Sequence, residues 1–257
     1  MELLKANFLN TTTQMTVDSN TAVAANLFNP DRQLQYFSDG YANDLTTTTI
    51  RISFDQTTTV GRIALLEHNL KSFLIYYNGA TASTFGLSAD TTVSNYISNS
   101  QTSNYLNITT PVACTSVSID CKKTIAADNE KAIGVLVLSA VDFDFTRIPN
   151  SDGYTPVLNP KQIVHTLSDG GTRVHTIQDK WNATIKYKNL DQTMRDSLRT
   201  IYNQYLPHVF VPFGTSTGWD GILFESVWVG PFDFYKYSDN AVSSGYTGSI
   251  NLKETSN

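Results

Sequence analysis

The sequence predicts a mainly all-β protein with one helix, and three observations lead to this prediction. Only 16 % of the 257 residues are charged, while Thr, Ser and Asn are abundant, and such short polar side chains favour strands and turns over exposed helices. Apolar residues recur in short runs between polar turns. A single segment near residue 190 has the apolar spacing of an amphipathic helix. Strands at this spacing without long helices are typical of a sandwich or jelly roll.

The first half of the chain contains six short runs with strand character. Ile50–Phe54 alternates apolar and polar side chains, which is the pattern of a half-buried strand. The turn-rich segment Asn78–Gln101 divides the runs into two groups of three. The other five runs are Val60–Leu66, Phe73–Tyr77, Tyr105–Ile108, Ser116–Ile119 and Ile133–Leu138.

Four segments of this half occur in a characteristic order. They are "NLFNPDRQLQYFSDG" at residues 26–40, "TIRISFDQTTTVGRIALLEHNLKSFLIYYNG" at 49–79, "YLNITTPVACTSVSIDC" at 105–121 and "KAIGVLVLSA" at 131–140. This order resembles the discoidin-like, galactose-binding-like jelly roll over about residues 16–140. The resemblance implies a first domain at residues 1–145 that either binds a cell-surface glycan or serves as a packing module.

A second domain is expected at residues 146–257, after the strand pattern breaks at Asp142–Pro160 with two prolines, Asn, Gly and Asp. It opens with "HTLSDGGTRVHTIQDKW", which predicts two strands and a turn at Ser168–Gly171. His165 and His175 lie five residues on either side of Gly170, so they could be neighbours across the two strands.

The one convincing helix is predicted at about residues 189–205. Asn189 is a candidate N-cap, and Gln192 stands at the capping-box position. Pro207 prevents the helix from continuing. One apolar stripe comprises Leu190, Met194, Leu198, Ile201, Tyr202 and Tyr205.

The order of segments in the second domain resembles the carboxy-terminal domains of bacteriophage tail-tip and baseplate proteins. The matching segments are Ser168–Arg173, Leu190–Tyr202, Val209–Pro212 with Trp219, Trp228–Phe234 and Tyr246–Glu254. The resemblance implies a structural component of the virion tail, assembled in the host cytoplasm. Its partners would be other copies of itself and neighbouring tail proteins.

Charge and hydropathy exclude two classes of partner. The net charge is −5, and no cluster of basic residues is longer than Lys122–Lys123, so neither nucleic acid nor an anionic membrane is expected to bind. No apolar run suits a signal peptide or approaches the ~20 residues that span a bilayer.

Cys114 and Cys121 are seven residues apart on one strand, which predicts that they lie on opposite faces of the sheet as two buried free thiols.

No catalytic residues are assigned, and the protein is expected not to be an enzyme. A remote alternative is an esterase that uses Ser168 and a nearby histidine, but a serine in a turn lacks the setting of a nucleophile elbow. The histidines, which are His68, His165, His175 and His208, have no metal-ligand spacing, so structural roles are expected.

Two ligand sites are predicted in the first domain. A glycan rim would combine aromatic faces with planar polar groups and comprises Arg32, Tyr36, Phe37, Asp39, Tyr41 and Asn43. A calcium site, for which a plain polar turn is the alternative, would use the oxygen ligands of Asp39, Asn43 and Asp44.

The segment "VWVGPFDFYKY" at Val227–Tyr237 carries apolar side chains on both faces of its strand. Such a strand must be buried on both sides, either in the core of its own domain or against another subunit. The candidate interface residues are Trp228, Phe232, Phe234 and Tyr235.

Overall fold

The computed structural model describes residues 1–29, 34–40, 42–81, 88–145, 154–166, 171–212, 223–236 and 245–255. Within them, one α-helix, α1 (Gln192–Gln204), and two 3₁₀ helices (Thr12–Gln14 and Thr21–Phe28) accompany the strands. In chain order the strands are β1 (Glu2–Leu4), β2 (Met15–Val17), β3 (Tyr36–Phe37), β4 (Thr48–Leu66), β5 (Leu70–Tyr77), β6 (Ala80–Thr81), β7 (Ile97–Ser98), β8 (Asn104–Thr124), β9 (Ala132–Ile133), β10 (Val135–Ser139), β11 (Val141–Asp144), β12 (Tyr154–Thr166), β13 (Thr172–Leu190), β14 (His208–Val211), β15 (Phe224–Trp228), β16 (Asp233–Lys236) and β17 (Tyr246–Glu254).

The mainly all-β class predicted from the sequence is confirmed. The chain forms two units, an N-terminal unit that contains Asn7–Asp142 and a C-terminal unit that contains Met1–Ala6, Phe143–Pro212 and Leu223–Asn257. Strand β1 belongs to the C-terminal unit and not to the first domain expected at residues 1–145, because Glu2 pairs with Val211 in the C-terminal unit. Across the described residues, no helix is long and apolar enough to cross a membrane.

The N-terminal unit is built on two strands longer than the sequence suggested. Its main sheet has the order β10-β4-β8-β5-β6, with β2 beside β4 and β7 beside β5. The expected runs Ile50–Phe54 and Val60–Leu66 are parts of β4, and two more expected runs merge into β8. Irregular register between Ser53 and Thr58 bends the β4–β8 pair without ending either strand.

That irregularity corrects the prediction for the cysteines. Along β8, Ser116 pairs with Ser53 of β4, but the next paired residue, Cys114, pairs with Thr58. The alternation of inward and outward side chains therefore shifts along β8. Cys114 therefore points into the same core as Cys121 rather than to the opposite face. Both thiols are free and buried, as predicted.

The C-terminal unit is built on one sheet in the order β11-β1-β14-β15-β17-β13-β12, with β16 also beside β17. Strands β12 and β13 form the predicted antiparallel hairpin, and the turn at residues 167–170 lies outside the described residues. His165 pairs with Arg173, and Ile163 pairs with His175. His165 and His175 are therefore not direct partners, because the residue opposite each histidine lies two positions from the other histidine. The pairing of the hairpin is symmetric about the position one residue before Gly170, not about Gly170 itself.

Helix α1 begins later than predicted. Asn189 has a φ of 69° and does not cap the helix, because β13 continues through Leu190, which pairs with Tyr246. Asp191 is the N-cap, and its carboxylate accepts a hydrogen bond of 2.8 Å from the Met194 N–H. The buried face of α1 consists of Met194, Leu198 and Ile201.

The cap gives a stability prediction. We expect Asp191→Ala to lower the free energy of unfolding of the C-terminal unit by about 1 kcal/mol, because the Met194 N–H loses its acceptor. Thr193→Ala, which changes an exposed residue of the same first turn, is the matched control and should leave stability unchanged or slightly higher. Urea unfolding read by tryptophan fluorescence compares the two, and equal midpoints would contradict this assignment of the cap.

Candidate functional site

The outer face of the N-terminal sheet brings polar and aromatic side chains into one row. Ile50, Ile119 and Ile75 pair across β4, β8 and β5, and all three are fully buried in the core. Since neighbouring residues on a strand face opposite sides, the next row faces outward. In that row Arg51 pairs with Ser118, and Ser118 pairs with Tyr76.

Asp120 is the next outward-facing residue of β8 after Ser118. Its carboxylate lies close to the hydroxyls of two tyrosines. The Tyr76 hydroxyl donates a hydrogen bond to the Asp120 carboxylate, and burial together with this negative charge raises the pKa of Tyr76. Burial also raises the pKa of Tyr96, whose hydroxyl bonds Thr47 and lies near Asp120. Both phenols therefore stay protonated at neutral pH. We call Arg51, Tyr76, Tyr96, Ser118 and Asp120 the outer patch.

Tyr96 reaches this face from the loop between β6 and β7. Asp90 fixes that loop, because its carboxylate accepts hydrogen bonds from the Thr92 N–H at 2.7 Å and from the Ser72 hydroxyl of β5 at 2.7 Å. Although burial works against it, these hydrogen bonds hold the pKa of Asp90 well below its usual range. The loop carrying Tyr96 is thereby tied to the sheet.

Arg51 is held in place but remains available to a ligand. Its Nη1 lies 2.8 Å from Asp18 Oδ1, and half of the Arg51 side chain is exposed. Burial opposes ionisation of Asp18, but the hydrogen bonds from Arg51 and Thr49 prevail and lower its pKa. A guanidinium has five N–H donors, so this contact orients the group without exhausting it.

The predicted glycan rim is partly corrected. Tyr36 cannot stack on a sugar, because only 1 % of it is exposed and its hydroxyl donates to the Ser19 carbonyl at 3.0 Å. Pairing of β3 with β9 draws this ring inward. Phe37 and Asp39 are exposed, as a rim requires, whereas Arg32 and Tyr41 lie outside the described residues.

Two of the three residues predicted to bind calcium, Asn43 and Asp44, take part in other contacts. Asn43 Oδ1 accepts from the N–H groups of Leu45 and Thr46, and Asp44 Oδ1 accepts from the Thr124 N–H at 3.1 Å. The ammonium of Lys131, a residue 1 % exposed, donates to the Asn43 carbonyl oxygen. The oxygens of Asn43 and Asp44 thus have hydrogen-bond roles within the fold, which favours the polar turn named as the alternative, and the calcium site stays a prediction. Across the described residues, no group of three His, Cys, Asp or Glu could hold a metal ion.

His68 has the structural role expected of it. Its Nδ1 accepts from the Leu70 N–H at 3.1 Å, so the ring proton lies on Nε2 and is donated to Asn104 Oδ1 at 2.8 Å. Asn104 in turn donates to Asn99 at 3.1 Å. Burial lowers the pKa of His68 to about 4, although the bond to Asn104 acts in the opposite direction.

The remaining sequence hypotheses concern the C-terminal unit. Ser168, the serine of the remote esterase hypothesis, lies outside the described residues, and His165 is exposed on β12.

Trp228 packs against Tyr202 at 5.3 Å between ring centroids and against Phe232 at 5.7 Å. Phe234 is buried, whereas Tyr235 is 58 % exposed. The candidate interface residues thus divide between an aromatic cluster and the surface.

The sequence prediction missed the outer patch. The alternation in Ile50–Phe54 already placed Arg51 on the outer side of its strand. What was not visible is that Arg51, Ser118 and Tyr76 share a row, because that depends on pairing between residues 42 and 67 positions apart in the chain. Tyr96 lay in the segment interpreted as turns.

His68 gives a prediction of pH dependence. Its pKa is lower in the folded than in the unfolded chain, so its neutral form stabilises the fold above pH 6.5, and this contribution is lost as the pH falls toward 4. We expect a loss of about 3 kcal/mol over this interval. Urea unfolding of His68→Gln should show a shallower pH dependence, whereas the control His165→Gln should match the wild type. Equal slopes in all three proteins would contradict the assignment.

No protein-family model matches this sequence, and no curated protein sequence matches it. Among solved structures, the chain is similar to the family 32 carbohydrate-binding module of NanJ from C. perfringens in complex with galactose, with 12 % identity over 55 % of this chain and 100 % of that chain and a TM-score of 0.40. It is also similar to chitosan-binding module 1 of a chitosanase/glucanase from Paenibacillus sp. IK-5, with 13 % identity over 53 % and 99 % of the two chains and a TM-score of 0.39. These values do not by themselves establish a family or a function. The resemblance of the C-terminal unit to tail-tip proteins stays a prediction.

Proposed function

We propose that the N-terminal unit binds carbohydrate through the outer patch and that it acts without catalysis. The observation that carries the proposal is the outward row Arg51–Ser118–Tyr76, with Asp120 and Tyr96 beside it. This arrangement combines two aromatic rings with a carboxylate, a guanidinium and a hydroxyl on one face.

Each group of the outer patch has a role in holding a sugar. The rings of Tyr76 and Tyr96 offer apolar faces to the C–H groups of a pyranose and keep their hydroxyls at the polar edge. Asp120 accepts hydrogen bonds from sugar hydroxyls, and Arg51 donates to sugar oxygens in a planar fork. Ser118 can do either. A few polar groups of this kind fix the orientation of a ligand that is otherwise held by apolar contact.

The patch suits binding without catalysis. Hydrolysis of a glycoside uses two carboxyl groups that flank the scissile bond. Asp18, the acid that contacts Arg51, is engaged by that guanidinium and by the Thr49 N–H, and no described carboxylate is shown paired with Asp120 for such a reaction. Because most of the groups stand on paired strands, little conformational entropy is lost on binding.

Affinity measurements on variants test the proposal. Titration calorimetry against a panel of neutral and amino sugars identifies a ligand, and Tyr96→Ala should weaken its binding about tenfold, the value of one aromatic stack. Asp120→Asn should weaken binding comparably while keeping the shape of the side chain. Tyr235→Ala removes an exposed tyrosine from the C-terminal unit and should leave the affinity unchanged.

The same measurement separates the outer patch from the rim predicted from the sequence. Phe37→Ala and Asp39→Ala change exposed residues of that rim, neither of which belongs to the outer patch. Loss of binding in these two variants, with full binding in Tyr96→Ala and Asp120→Asn, would contradict the outer patch and favour the rim. An absence of binding to every sugar of the panel would contradict the carbohydrate function itself.

A second candidate function is a structural component of a phage tail tip or baseplate, built into the virion with other tail proteins. It is favoured by the exposed aliphatic side chains of the β12–β13 hairpin, which are Val157, Leu158, Ile163, Val164 and Val174. Val164 and Val174 are directly paired across the two strands, so they form one exposed apolar pair, which suits contact with another protein chain. Mass spectrometry of purified particles should find the chain in a fixed ratio to other tail proteins, and its absence from them would contradict this role.

A further inference from the structure

Asp120 lies in a covered part of the outer face. The pairing of the sheet sets it between Thr49 of β4 and Leu74 of β5. Both of these residues alternate with core residues and therefore face outward, yet Thr49 is only 8 % and Leu74 only 5 % exposed. A row that faces outward and is nevertheless buried must be covered from outside.

The cover is the loop that carries Tyr96. On the β5 side, Asp90 of this loop accepts a hydrogen bond of 2.7 Å from the Ser72 hydroxyl. On the β4 side, the Tyr96 hydroxyl bonds Thr47, the residue before the strand begins. Since β8 lies between β5 and β4, the loop crosses β8 beside Asp120. The Asp120 carboxylate thus stands in a recess between the loop and the sheet.

This carboxylate is partly buried without a counter-ion. Across the described residues, no lysine, arginine or histidine forms an ion pair with Asp120. Arg51 of the neighbouring row pairs with Asp18 instead, and the ammonium of Lys122, two residues further along β8, donates to the Leu45 carbonyl oxygen. Because a partly buried charge without a partner is unfavourable, the recess is suited to a positive group.

The two tyrosines of the outer patch make the recess more favourable for a cation. Burial first, and then the negative charge of Asp120, raises the pKa of Tyr76. The same two causes raise the pKa of Tyr96 against the effect of its hydrogen bond with Thr47. Both rings are therefore neutral phenols at neutral pH, and the faces of such rings attract cations.

We propose that the sugar bound at the outer patch is an amino sugar, whose ammonium group enters the recess and binds the Asp120 carboxylate beside the rings of Tyr76 and Tyr96. An ammonium brings three N–H donors and a full charge, whereas a hydroxyl in its place brings one donor and no charge. Acetylation of the amine also removes the charge. This inference rests on the carbohydrate function proposed above and names the class of sugar.

Calorimetric titration of the full chain with matched sugars tests the proposal. Glucosamine is compared with glucose and galactosamine with galactose, because in each pair a hydroxyl replaces the amine, and the two N-acetylated forms complete the set. The wild type should bind at least one of the amino sugars about tenfold more tightly than its hydroxyl and acetylated counterparts, since a hydrogen bond between charged groups is stronger than one between neutral groups.

Variants of Asp120 show whether its charge causes the preference. Asp120→Asn keeps the size of the side chain and an acceptor for the Tyr76 hydroxyl, so it should remove the preference for the amine without unfolding the sheet. Asp120→Glu keeps the charge and should retain a preference. Asp55→Asn removes an exposed carboxylate of β4 outside the outer patch and should leave the preference unchanged, which controls for net charge.

Two outcomes would overturn the amino-sugar proposal while leaving carbohydrate binding in place. One is equal affinity for each amino sugar and its hydroxyl counterpart, and the other is a preference for the amine that persists in Asp120→Asn. An absence of binding to every sugar of the set would overturn both this proposal and the carbohydrate function on which it rests.

Discussion

The pairing register across β4, β8 and β5 is the constraint on which the N-terminal unit depends. Ile50, Ile119 and Ile75 lie in one fully buried row, and a slip of one residue would expose them and bury their polar neighbours. The hydrophobic effect thus fixes the register, and the register sets Arg51 beside Ser118 and Ser118 beside Tyr76. The candidate binding face follows from how the core is packed.

Local sequence patterns correctly predicted those strands and helices that depend only on nearby residues. Alternation predicted the strand at Ile50–Phe54 and its inward face, and helical spacing predicted α1 with its buried Met194 and Leu198. Pairing between distant segments determines the rest. The helix starts at Gln192 because Leu190 is held by Tyr246 of β17, a partner that no local pattern reveals.

The loop predicted as a ligand site illustrates the same limit. Aromatic, amide and carboxylate groups close together in sequence suggested a rim and a calcium site. In the fold, pairing of β3 with β9 draws Tyr36 inward, and the Lys131 ammonium, 88 residues from Asn43 in the chain, donates to the Asn43 carbonyl oxygen. Composition indicated the kinds of groups present but not which contacts the fold makes with them.

Sugar binding at the outer patch can be tested by following the backbone amide signals of the labelled chain by NMR while the ligand is added. We expect saturable shifts at Arg51, Ser118 and Asp120 and at the loop that carries Tyr96. Shifts confined to Phe37–Leu45, with the β4, β8 and β5 signals unmoved, would contradict it.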